Sequence, residues 1–284
     1  MLKLECKRYL FSKSTIIIIL ALTLLSIISW LASLSKQQMF LAQHYSDAID
    51  INRDALAHTI ANYNGILFQY NLWFNNAGIG AIKIYFIYAW LGVVLSSRLH
   101  AERANRFGNL VIARSNYKTR LHHIFAAQSL YIATIVGIYV LISTIGSLLI
   151  GGLPQSATTF IVIGYYSWLA WLGIILLQWL WLSFAFIAVN TFCLLLSMWV
   201  KQKQLLQVLP FFVFVIVPVM LWSVAPRVIN LFIADNTMLV IGIFFREVKT
   251  FDFFLYSALT IIATAIGAFC LYPLHVKKGA KDYL

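Results

Sequence analysis

WLAWLGIILLQWLWLSFAFIAVNTFCLLLSMW, residues 168–199, runs for 32 residues without one charged side chain. An α-helix rises about 1.5 Å per residue, so about 20 apolar residues cross the ~30 Å hydrocarbon core of a bilayer. This stretch has that length and more. Five others read the same way, at 14–34, 80–97, 122–150, 205–224 and 252–273. The whole chain agrees with them. Of its 284 residues 62% are hydrophobic and 11% charged, whereas soluble domains carry roughly 25% charged residues. The composition predicts an all-α polytopic membrane protein with six transmembrane helices, and no nearby internal repeat or linker divides it into further domains.

The basic residues between the spans give an orientation. Cytoplasmic loops of membrane proteins collect Lys and Arg, because these resist translocation. With the N-terminus inside, segments 1–13, 98–121, 200–204 and 274–284 hold 15 of the 21 Lys and Arg residues. The outer pieces hold six of the nine acids: Asp47, Asp50, Asp54, Asp235, Glu247 and Asp252. An even number of spans with both termini cytoplasmic satisfies this bias. The net charge of +12 is thereby read as a membrane signature rather than a nucleic-acid one, since it sits in short clusters beside apolar spans.

Residues 1–13 set Leu2, Leu4, Tyr9, Leu10 and Phe11 among Lys3, Lys7, Arg8 and Lys13, a pattern for an interfacial helix that anchors the first span. The apolar run beyond it shows no small-residue cleavage site, which predicts a retained helix rather than a signal peptide. Segment 35–79 is the longest outer loop, with apolar residues at loose helical spacing. The uncharged run 155–200 would be about 69 Å long as one helix, so part of it, around 156–167, is expected at the outer surface. Segment 225–251 is apolar but interrupted by Pro226, Asp235 and the Arg246-Glu247 pair; re-entrant outer helices suit it better than a span. Pro210 and Pro218 are expected to bend the fifth span.

Several chemistries lack their residues. Apart from Asp252 at the outer end of the last span, no acid lies within the spans, so the carboxylates that usually mark a proton or ion pathway are missing, which weighs against a secondary transporter and an intramembrane metalloprotease. The six histidines show no ligand spacing, so no metal site is expected, and His122-His123 suit interfacial solvation. Three scattered cysteines make no disulfide framework, and Cys193 and Cys270 read as packing residues. No Gly-rich phosphate loop followed by Lys-Ser or Lys-Thr occurs. The chain is therefore not expected to be an enzyme, and any ATP and Mg would be bound by a separate subunit. Trp-rich segments fit interfacial belts and helix packing; the sharper alternative is that Gln178, Trp179 and Asn190 line a pathway.

The loop RLHAERANRFGNLVIARSNYKTRL, 98–121, places the apolar patch Leu110, Val111 and Ile112 within a dense basic cluster. It suits either an ordinary positive-inside loop or a short helix docking in a groove of a cytosolic partner. With the six-span layout, the long outer loop, the broken outer segment before the last span and the basic tail, this loop resembles that of ABC-2-type transporter permeases. The resemblance implies a coupling helix against an ATP-binding subunit, carried by Glu102, Arg103, Arg106, Phe107, Gly108, Leu110, Val111, Ile112, Arg114 and Ser115. It further implies two copies of that ATPase, a second identical or homologous permease chain, and residence in a bacterial plasma membrane. The function so implied is export of an apolar or amphipathic cargo (peptide, drug or lipid-like), with antimicrobial-peptide immunity as one use. A non-transporting membrane immunity or scaffold protein, binding a toxin or partner, is the alternative.

Overall fold

A computed structural model describes residues 6–7, 9–28, 31, 86–94, 117–151, 168–197, 199–200, 202–216, 220 and 250–282. These residues are helical apart from short turns, and no strand occurs among them. We number the helices α1 (Lys13–Ile28), α2 (86–94), α3 (Tyr117–Gly151), α4 (Trp168–Leu196), α5 (Lys203–Phe211) and α6 (Thr250–Asp282). The expected outer segments 35–79 and 225–249 and the surface stretch expected around 156–167 lie outside the described residues, while residues 250 and 251, expected in the second of these segments, already belong to α6.

Among the described residues two helices are long and apolar enough to cross a membrane, through Tyr117–Gly146 of α3 and Ile175–Leu196 of α4. Their outer faces are as informative as their length. Helix α4 buries Leu182, Phe186, Val189 and Cys193, yet exposes Leu172, Leu176, Leu180 and Phe184 on the far side. Helix α1 likewise buries Ile18 and Leu22 while exposing Ile16, Leu20 and Leu24. A surface helix of a soluble protein turns a polar face to water; both helices here turn large apolar side chains outward as well as inward.

Helix α4 is the hub, packing extensively on both α3 and α6. Without a hydrophobic driving force inside lipid, close packing at small residues holds helices together. Gly137 of α3 leaves room for the Trp179 indole, 3.0 Å from the position of an added Cβ. Gly267 of α6 does the same for Phe192 at 2.9 Å. At Gly92 the approach is tighter, since a Cβ there would collide with the backbone carbonyl of Gln207 in α5.

Helix boundaries differ from the apolar limits read in the sequence, for a physical reason. A helix does not end where the hydrocarbon ends. Helix α3 starts at Tyr117, before the apolar run, and α6 continues through Pro273 to Asp282, taking in most of the expected basic tail. Pro210 lies inside α5, and a π-helical turn at Phe212–Ile216 follows directly after it; Pro218, the other proline expected to bend the span, lies outside the described residues. Proline removes one backbone donor and crowds the preceding turn, and a π turn is a common way to absorb such a defect.

The described part of the N-terminal segment packs onto the helices that follow it. Ser12 caps α1, its Oγ accepting from the Thr15 N–H at 3.3 Å, as a hydroxyl at that position does. Before it, Tyr9 is 8% exposed and stacks on Tyr131 of α3 with ring centroids 5.6 Å apart, while Lys7 and Phe11 face outward.

Candidate functional site

A polar seam runs between α1, α3 and α4 through an otherwise apolar interior. Gln128, with no exposed surface, is its centre. Its Nε2 donates to the Tyr9 hydroxyl at 3.2 Å, and its Oε1 accepts from Asn190 Nδ2 at 2.8 Å. Nearby, the Thr15 hydroxyl donates to the Tyr9 carbonyl at 2.6 Å. With its proton so committed, Thr15 can only accept from the Tyr131 hydroxyl, 3.0 Å away. The Trp90 ring tilts against Tyr131 at 5.5 Å. A buried amide is costly unless its donors and acceptors are matched, and the Tyr9–Gln128–Asn190 relay supplies much of that matching. Two acceptors on α4, Ser183 Oγ and Asn190 Oδ1, are buried with no hydrogen-bond partner among the described residues.

The three residues suggested as pathway lining all lie on α4 in tight surroundings. Asn190 is 2% exposed and engaged by Gln128. Trp179 donates from Nε1 to the Ala133 carbonyl at 2.9 Å, over Gly137. Gln178 has no exposed surface. Trp179 and Asn190 are eleven residues apart, close to three full helical turns, so both address α3; Gln178 points about a third of a turn away. The structure brings Trp179 and Asn190 to the same helix interface and leaves Gln178 on a different side.

A second cluster ties the far end of α6 to its neighbours. His275, 2% exposed, is held at both ring nitrogens. Nδ1 lies 2.8 Å from the Leu195 carbonyl, which can only accept, so Nδ1 carries a proton. Nε2 meets the Tyr117 hydroxyl at 2.8 Å, and the rings stack at 6.1 Å. One turn earlier, Tyr272 pairs with His122 Nε2 at 2.8 Å. These bonds join the start of α3, the end of α4 and α6 at one level of the bundle.

All ten residues suggested for ATPase coupling, Glu102, Arg103, Arg106, Phe107, Gly108, Leu110, Val111, Ile112, Arg114 and Ser115, lie outside the described residues. Among the described residues no three His, Cys, Asp or Glu side chains come together as a metal set. Cys193 is buried and Cys270 exposed. Sequence reasoning missed Gln128, Tyr9 and His275 as organising residues. A signal existed for the first: Gln128 is an isolated amide in a long apolar run, and such a group in lipid demands a partner on another helix. No known protein family, curated protein or solved structure matches the chain.

Proposed function

We propose that this chain is the permease subunit of an ATP-driven exporter of the ABC-2 type, forming half of a translocation pathway for an apolar or amphipathic cargo. The observation that carries the reading is the loop 98–121, where Leu110, Val111 and Ile112 interrupt a basic cluster directly before α3. A loop that merely resists translocation needs no apolar patch; a helix seated in a partner's groove does. The six apolar runs, the apolar outer faces of α1 and α4 and the interior without described carboxylates support a multi-pass setting and an uncharged cargo. Two such chains, identical or homologous, would enclose the pathway at their mutual face. Two ATP-binding subunits would dock below, bind ATP and Mg, and push on the loop to shift the helices between inward and outward states. This chain supplies no hydrolytic residue in that scheme.

One observation favours a second reading, a membrane immunity or scaffold protein without transport. Gln178, Trp179 and Asn190, the natural candidates for a pathway, are packed within a single chain. One experiment separates the two: purification in mild detergent from the native host, with mass spectrometry of the co-purifying proteins. The permease reading expects a P-loop ATPase in near-equal amount, lost on replacing Leu110 and Ile112 by Asp. Recovery of the chain with no ATPase overturns it and leaves the scaffold reading.

A further inference from the structure

We propose that Tyr117, His122, Tyr272 and His275 form a releasable clasp between α3 and α6, which decides how far the start of α3 can part from the α4–α6 pair. The use made of the clasp rests on the permease reading; the clasp itself does not. It begins with an inequality among the helix contacts. Helix α4 packs extensively on both α3 and α6, whereas α3 and α6 touch each other far less. The Gln128–Asn190 and Trp179–Ala133 bonds tie α3 to α4. Phe192 against Gly267 and the His275–Leu195 contact tie α6 to α4.

Across the slighter contact, α3 and α6 each offer one tyrosine and one histidine, and the pairing is reciprocal. Tyr117 of α3 meets His275 of α6 at 2.8 Å, and His122 of α3 meets Tyr272 of α6 at 2.8 Å. Both pairs also stack, with centroids 6.1 and 5.9 Å apart and ring planes inclined by 22° and 21°. The earlier residue of α3 pairs with the later residue of α6, as antiparallel neighbours require.

The two pairs differ in what happens when they part. His275 is 2% exposed and donates from Nδ1 to the Leu195 carbonyl, so it stays with α4 when Tyr117 leaves. His122 is exposed, so water can take the place of Tyr272. A neutral hydrogen bond exchanged for one to water contributes little net stability. Separating α3 from α4 is costlier, because it breaks the buried Gln128–Asn190 bond and lifts Trp179 off Gly137. Tyr117 is the first residue of α3 and follows the basic segment 98–116 directly. In the permease reading, force on that segment reaches α6 through these rings while the clasp is closed, and turns the head of α3 away from α6 once it opens.

The test is double electron–electron resonance on the full chain in detergent, with Cys6→Ser, Cys193→Ala and Cys270→Ser as background. One spin-label pair, at Thr119→Cys and Leu274→Cys, spans the clasp. A second, at Gln202→Cys and Leu274→Cys, spans the α4–α6 corner; all three positions are exposed. Tyr117→Phe/Tyr272→Phe keeps the rings and removes both hydroxyls. The expected result is a second, longer 119–274 distance, its population rising roughly fivefold for each bond lost, with the 202–274 distance unchanged. Tyr272→Phe alone should give the smaller rise, and carries the comparison if the double variant does not fold. An unchanged 119–274 distribution would overturn the clasp, as would equal broadening of both distances, which marks general loosening of the bundle. Purification without an ATPase would remove the use of the clasp in coupling and leave these distances as they are.

Discussion

The buried Gln128 amide is bonded on both its nitrogen and its oxygen. It donates to Tyr9 and accepts from Asn190, so removing either neighbour leaves part of a buried amide unmatched. Truncating one partner of such a bond costs roughly 1–3 kcal/mol, and replacing both with apolar residues should cost less than the sum. Unfolding titrations of Gln128→Leu, Asn190→Leu and the double variant should reveal a coupling of ~0.6 kcal/mol, with ~1.7 kcal/mol the upper end for helix–helix bonds in membranes. Strict additivity would mean the bond is not formed. At His275 the logic is similar. Tyr117→Phe removes one of its contacts, whereas His275→Phe removes the bonds to both Tyr117 and the Leu195 carbonyl, so the second variant should be the less stable in the same assay.

Helix contacts are decided by glycines with different neighbours, which predicts a graded series of alanine substitutions. Gly92→Ala should be the most damaging, because the Gln207 carbonyl it would meet is backbone and cannot rotate away. Gly137→Ala and Gly267→Ala meet side chains, Trp179 and Phe192, which can yield at smaller cost; overpacking of this kind typically costs about 1–3 kcal/mol. Gly173→Ala meets nothing within 4 Å and should stabilise α4 by up to ~1 kcal/mol through helix propensity. Melting temperatures in one detergent check the order. A Gly92 variant as stable as the parent would refute the α2–α5 crossing. The glycines are visible in the sequence, but their ranking is not, since it depends on whether backbone or side chain stands opposite.

At the scale of the whole molecule the membrane setting is the expectation to test, and Cys270 is placed to report on it. It is exposed on α6 beside Phe269, itself 81% exposed. In a membrane this thiol would meet acyl chains, out of reach of a water-soluble reagent. A water-soluble maleimide should leave Cys270 unlabelled in native membranes and label it after denaturation in detergent. Rapid labelling in intact membranes would place that face of α6 in water and contradict the arrangement. The uneven Lys and Arg distribution predicts an orientation at the same scale: a reporter active only in the cytoplasm should work when fused at the C-terminus, and one active only outside should work when inserted within 35–79.

Hydrophobic run length and the uneven distribution of Lys and Arg are one-dimensional properties, so the all-helical character and the apolar cores of α3 and α4 were legible in the chain alone. Both follow from composition, whatever the partners of each helix. Which polar residues meet was not legible. Tyr9 lies 119 positions from Gln128, and Tyr117 lies 158 from His275; no local periodicity connects them. Asn190 and Trp179 looked like pathway groups because a polar or aromatic side chain in an apolar run has no evident local use. Only the tertiary structure supplied one, by setting α3 against α4 so that each found its acceptor. Helix ends followed the same division: hydropathy located the apolar cores, while the continuation of α6 past Pro273 was decided by its contacts with α3 and α4, where His275 is held at both nitrogens.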